Sequence, residues 1–257
     1  MRLRDKTAFI TGSTRGIGRE IAAVFAREGA TVGIHGRQEA DVAAVVDDIR
    51  ASGGSAFGVA ADLADPEAPD AVHTQLSRLC GGIDLLINNA GMSISESYGS
   101  VTRATFDAQL HVNFVSAFRL TQLLTPQMAA RGRGAIVNIS TCGTVQAHHN
   151  KIVYDSVKGA LEAFTRSLAV ELAASGIRAN AIRPGAIANS PEYETDTPAN
   201  NARRNIIPMK RMGTNREIAE VVLFLCLPEA GYVTGQIFDV DGGRGVSLPI
   251  LNPVGII

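Results

Sequence analysis

Tyr154 and Lys158 stand four positions apart in a stretch of helical period, 152–175, so both side chains fall on one helix face. A free phenol ionises near pH ~10 and is a poor base at neutrality. An ammonium held close by favours the phenolate and lowers that value, which suits the phenol to give a proton to a carbonyl oxygen or take one from an alcohol. A surface aromatic beside a solvated lysine has the same spacing, so the pair alone does not separate the two readings.

A second constellation lies near the N-terminus. Thr11-Gly12-Ser13-Thr14-Arg15-Gly16-Ile17-Gly18 follows a strand-like run and opens an amphipathic helix. Glycines there allow a tight turn and close approach of backbone to a pyrophosphate, and the free N–H groups of a helix start favour its charge. At the end of the second predicted strand, where an NAD-selective site carries an acid for the adenosine ribose, stands Gly36, followed by Arg37. Arg15 and Arg37 together offer two guanidinium groups to a 2′-phosphate, so these residues point to NADP(H) over NAD(H), although NAD(H) stays possible. The plainer reading of both arginines is a solvated surface.

The elements that must position these groups are legible as short apolar runs alternating with helical stretches. Strands are predicted at 7–11, 31–34, 56–60, 83–87, 135–139, 177–182 and 237–240, and helices at 17–28, 39–51, 66–79, 103–131, 152–175 and 215–227. Gly29, Gly53, Gly132 and Gly176 punctuate helix ends. Alternating strands and helices imply a mostly parallel sheet covered on both faces, a doubly wound α/β fold. No repeat or domain boundary interrupts residues 1–257, which read as one domain. The least periodic part, 188–212, is a candidate mobile substrate flap, and Glu192, Glu194 and Asp196 read as making it acidic, against polyanionic substrates.

Bulk composition narrows the function classes. The chain is 46% hydrophobic and 19% charged with formal net charge -1, an ordinary globular balance without a basic footprint for nucleic acid or an anionic membrane. Cys80, Cys142 and Cys226 are too scattered for a disulfide framework or a zinc site, and no metal site is expected. A cytoplasmic protein is the expectation, since no apolar run long enough for a signal peptide or membrane span is seen.

Taken in order, TGSTRGIG at 11–18, Asp62-Leu63, Asn88-Asn89-Ala90-Gly91, Asn113, Asn138-Ile139-Ser140-Thr141, Tyr154-Asp155-Ser156-Val157-Lys158, Arg183-Pro184-Gly185 and Val240-Asp241-Gly242-Gly243 resemble the short-chain dehydrogenase/reductase family in its compact single-domain form. The resemblance runs from Lys6 to about Gly243. It implies a Rossmann-type sheet of seven parallel strands in the order 3-2-1-4-5-6-7, and hydride transfer between nicotinamide and a ketone, aldehyde or alcohol carbon. By the same resemblance Asp62 and Leu63 sit at the adenine, while Asn89, Ala90 and Gly91 form the floor near the adenosine ribose. Pro184, Gly185 and Ile187 face the carboxamide, Lys158 binds the nicotinamide ribose, and Asn113 holds a water that extends a proton relay. A homo-oligomer, dimer or tetramer, built on the helices near 103–131 and 152–175 and the C-terminal region is also implied.

Departures from the family pattern leave points open. The substrate-orienting hydroxyl, about thirteen residues before the tyrosine, falls on Thr141; counting back from Gly143 favours Ser140, and either hydroxyl supplies the donor the chemistry needs. Asn189 stands where the family often has Thr. His148 and His149 read as a solvated loop pair. Two rivals to the enzyme remain: a catalytically inactive NAD(P)-sensing protein of the same fold, and an epimerase or dehydratase recycling bound NAD. Ketone reductase, fatty-acyl ketoreductase and sugar or polyol dehydrogenase all fit the residues. The apolar tail from Val246 to Ile257 is expected to need cover from its own or a neighbouring subunit.

Overall fold

Strands buried on both faces are short runs of Val, Ile, Leu and Ala in which successive residues serve opposite layers. In β1 (Thr7–Ile10), Ala8 and Ile10 enter one core and Phe9 the other. The computed structural model describes residues 1–193 and 195–247. Among them β2 (Thr31–Gly36), β3 (Ser55–Ala60), β4 (Leu85–Asn88), β5 (Gly134–Ile139), β6 (Ile177–Pro184) and β7 (Ile237–Val240) complete a seven-stranded sheet in the order β3-β2-β1-β4-β5-β6-β7. All six pairings are parallel.

Helices α1 (Gly16–Arg27), α2 (Glu39–Ala51) and α8 (Asn215–Cys226) cover one face through Phe25, Val45 and Leu223. On the other face α3 (Ala68–Leu79) and α5 (Ser116–Ala130) bring Leu76, Leu120 and Leu124, and α6 (Ile152–Leu172) adds Leu168. Strand order reverses between β1 and β4, so their carboxyl ends part and leave the crevice in which open α/β sheets bind ligands.

The stretch 103–131 is not the one helix its periodicity predicts. It runs as α4 (Arg103–Leu110), a π turn (His111–Val115) and α5. The cause is Asn113, whose Nδ2 donates at 2.8 Å to the Gln109 carbonyl four residues back and at 2.8 Å to the Met92 carbonyl. A side chain inserted into the helical ladder widens the turn, and the N–H of Ser116 reaches five residues back to His111.

The aperiodic stretch 188–212 contains a helix, α7 (Pro198–Asn205), started by Pro198 and capped by the Thr197 hydroxyl. Its acidic reading also gives way, because Arg203, Arg204, Lys210 and Arg211 lie in the same stretch and Arg204 pairs with Asp196 at 3.1 Å. Glu194 and tail residues 248–257 lie outside the described residues. No described helix is long and apolar enough to cross a membrane.

The ends of β4 and β5 are fixed by a buried amide relay. Asn88 Nδ2 donates to Asn138 Oδ1 at 2.8 Å and to Thr121 Oγ1 at 3.3 Å, and Asn138 Nδ2 donates to Thr165 Oγ1 at 2.8 Å. Asn138→Ala strips Asn88 of its nearer acceptor in a dry interior. It should lower the unfolding free energy by about 2 kcal/mol, read as a lower urea midpoint with unchanged slope.

Candidate active site

The crevice is a cavity of about 870 Å³ running over the carboxyl ends of the strands, from Arg37 and Asp62 at one end to Tyr154 and Lys158 at the other. Gly12, Thr14, Arg15, Gly16, Ile17 and Gly18 line it from the first turn, Leu63, Asn89, Ala90 and Gly91 from the middle, and Ser140, Thr141, Pro184, Gly185 and Ile187 from the far side.

At the first turn Gly12 and Gly16 have φ of +63° and +57°, a region L side chains rarely adopt. A Cβ at Gly12 would also stand 2.8 Å from the Ala90 Cα, so glycine is what lets the loop close on β4. Asn89 Nδ2 donates to the Thr11 and Gly12 carbonyls, both at 2.9 Å, and the first helical residues Gly16, Ile17 and Gly18 line the cavity, where a helix start favours an anion. This cradle, with the exposed guanidinium groups of Arg15 and Arg37 unpaired among the described residues, fits a phosphate-bearing dinucleotide.

Ser13 does not join the cradle. Its hydroxyl donates to the Ile10 carbonyl at 2.8 Å and accepts the His35 N–H at 2.9 Å, which turns it into the protein interior. His35, a residue without a motif to mark it, anchors the loop instead: its Nδ1 accepts the Gly12 N–H at 3.1 Å. Burial pushes its imidazole down to about 4, partly opposed by Asp62.

At the other end Lys158 is fully buried and donates from Nζ to the Ile139 carbonyl at 2.7 Å. Burial brings its ammonium down to about 8. Tyr154 is pushed up to about 12, again chiefly by burial, with a hydrogen bond from Thr141 acting in the opposite direction. The expected lowering by Lys158 is therefore not what this structure shows, because the amine is pinned to a carbonyl and lies 5.9 Å from the phenol ring centroid.

The two hydroxyls left open by the sequence are sorted by their partners. Ser140 Oγ donates to buried Glu162 at 2.7 Å, whereas Thr141 meets Tyr154. Asn113 sits behind the cavity wall with both amide hydrogens committed and its Oδ1 accepting the Met92 N–H at 3.1 Å, so it clamps the Gly91–Met92 segment beside Lys158. His148 is not a solvated loop residue: Asp155 accepts its backbone N–H at 2.8 Å and its Nδ1 at 2.9 Å, while His149 is exposed as expected.

A family model described as enoyl-(acyl carrier protein) reductase matches residues 12–244. The 3-oxoacyl-[acyl-carrier-protein] reductase of Aquifex aeolicus is 35% identical over 244 residues, 95% of this chain and 98% of that protein. This chain belongs to the short-chain dehydrogenase/reductase family. The 7alpha-hydroxysteroid dehydrogenase of Escherichia coli is 35% identical to this short-chain dehydrogenase/reductase over 95% of both chains. A gluconate 5-dehydrogenase from Burkholderia cenocepacia, solved with NADP and tartrate, superposes with a TM-score of 0.89 at 30% identity, covering 96% of this chain and 98% of that one. A Brucella melitensis 3-oxoacyl-[acyl-carrier protein] reductase with bound NAD gives 0.87 at 34%, covering 96% and 95%. Like these relatives, the protein is an oxidoreductase.

His35, Asp155, Glu162 and Arg183 are the residues of this dehydrogenase/reductase that sequence reasoning passed over as site components. The buried imidazole gives a test of the first. Its folded value near 4 lies below the unfolded value of 6.5, so the fold prefers neutral His35; that stability is complete above pH 6.5 and is lost as pH falls toward 4. At about 1.4 kcal/mol per unit the loss reaches about 3 kcal/mol. The arginine-paired carboxylates Glu28 and Glu217, held at about 2 against an ordinary 4.5, give way only at lower pH. Urea titrations at pH 7 and pH 4.5 should show this fall in the parent protein and a flatter profile in His35→Gln.

Proposed function

We propose that this short-chain dehydrogenase/reductase interconverts a ketone or aldehyde and the corresponding alcohol with NADP(H), Tyr154 moving the proton. The observation that carries the reading is that the phenol of Tyr154, the amine of Lys158 and the glycine turn at 12–18 line one continuous cavity. A bound nicotinamide would supply or accept the hydride. Tyr154, neutral at physiological pH, is in the form that donates to a nascent alkoxide; the reverse direction needs the phenolate and gains rate as pH rises. Thr141 orients the substrate oxygen, since Ser140 is held by Glu162. Lys158 binds the nicotinamide ribose, and Asn113 holds the wall against which Lys158 rests.

NADP(H) is favoured by charge and by space. Arg15 and Arg37 line the cavity without ion-pair partners among the described residues, and a Cβ at Gly36 would lie 2.5 Å from Thr14 Cγ2 and 3.2 Å from Val42 Cγ2, crowding the acid an NAD ribose prefers. Asp62 and Leu63 line the adenine end, with Pro184, Gly185 and Ile187 beside the carboxamide. The protein works in the cytoplasm as a homo-oligomer, a role for the exposed aromatic surface of α5 where Phe118 stands against Phe114 and Phe164.

The test is NADPH and NADH oxidation against 3-oxoacyl thioesters, ketosteroids and keto-sugar acids, the classes the relatives' names suggest. Tyr154→Phe should cut turnover about 10²–10⁴-fold on any accepted substrate while NADPH affinity holds; near-parent turnover would refute the assignment. Arg37→Ala should weaken NADPH about 10- to 100-fold, the worth of a charged hydrogen bond, and leave NADH unchanged in fluorescence titrations.

A further inference from the structure

The stripe of α6 that carries Tyr154 and Lys158 continues one i+4 step to Glu162. Glu162 is 4% exposed, yet its carboxylate is fully engaged. Oε1 accepts from Ser140 Oγ, Thr144 Oγ1 and Arg183 Nε, each at 2.7 Å, and Oε2 accepts from Arg183 Nη2 at 2.6 Å. Arg183, on β6, has a longer second contact to Asp239 of β7 at 3.5 Å. Burial pushes the Glu162 carboxyl up, but the hydrogen bonds from Arg183, Ser140 and Thr144 outweigh it and hold the group ionised.

Successive turns of α6 thereby face three consecutive residues leaving β5. Lys158 holds the Ile139 carbonyl and Glu162 the Ser140 hydroxyl, and Thr141 lines the cavity with Tyr154. Ser140 spends its N–H on the Ile182 carbonyl at 2.7 Å and its hydroxyl hydrogen on Glu162, so neither of its donors is free for a substrate oxygen. We infer that Glu162, charge-balanced by Arg183, is a positioning residue: by seizing Ser140 it sets the 139–141 segment so that Thr141 meets the phenol and the Ile139 carbonyl meets the amine. A hydrogen bond between a charged and a neutral group is strong and directional, which suits it to fix the rotation of one short segment. The inference rests on the proposed chemistry at Tyr154, and it assigns the choice between two adjacent hydroxyls to a carboxylate two helical turns away.

The chain has four tyrosines and no tryptophan, so the tyrosinate absorbance difference between a protein and its Tyr154→Phe counterpart reports ionisation of Tyr154 without any substrate. Ser140→Ala leaves the Glu162–Arg183 pair intact and removes only its link to the segment. With Thr141 no longer aligned, the phenolate loses a hydrogen-bond donor, so Tyr154 should ionise at a higher pH than in the parent. Asp239→Asn, which touches only the outer side of Arg183, should leave the titration unchanged. On a substrate the parent enzyme reduces, Ser140→Ala should lower kcat about tenfold with KM for NADPH unchanged. A folded Ser140→Ala protein with the parent Tyr154 titration overturns the inference, as does an equal shift in Asp239→Asn, which would mark general loosening. Because the titration needs no turnover, its result stands apart from the Tyr154→Phe assay that tests the reaction itself.

Discussion

A fully buried ammonium is the constraint around which this protein is arranged. Lys158 has given up water, and the Ile139 carbonyl at 2.7 Å is the hydrogen-bond partner that compensates it. Such a charge is tolerated only where its partner is held rigidly, because an unpaired cation in a dry interior is strongly disfavoured. The end of β5 and the middle of α6 must therefore keep their relative position. Around that contact the Asn88–Asn138–Thr165 relay, the Glu162–Arg183 pair and the π turn at Asn113 each fasten a neighbouring element.

A parallel sheet also explains why both ends of the cavity lie on one side of the molecule. Every strand delivers its carboxyl end to the same edge, and every following helix presents its N-terminus there. The glycine turn after β1 and the Asn89–Gly91 turn after β4 meet where the strand order reverses, with Gly12 against Ala90. Residues from β5, β6 and α6 complete the far end.

The two ends differ in electrostatic character. At the glycine-turn end, exposed guanidinium groups and a helix start present positive charge to solvent, a setting that favours an anion. At the Tyr154–Lys158 end burial dominates: it lowers the ammonium and raises the phenol. The same desolvation that keeps the phenol protonated at neutral pH also strengthens every hydrogen bond that reaches it.

Sequence alone determined the strand and helix series, the parallel class, the dinucleotide turn, the tyrosine–lysine pair and the family, because each is written in local periodicity or in motifs whose residues are neighbours along the chain. Tertiary structure decided the rest. The π turn depends on Asn113 reaching Met92, the sorting of Ser140 from Thr141 depends on Glu162 and Arg183, and the loop anchor at His35 depends on a strand beside the glycine turn. The raised phenol followed from how deeply α6 is buried, which no spacing encodes. Hydrogen-bond partners separated by twenty or more residues and the loss of water around a charge are products of packing, and they exist only once the sheet and helices have closed on one another.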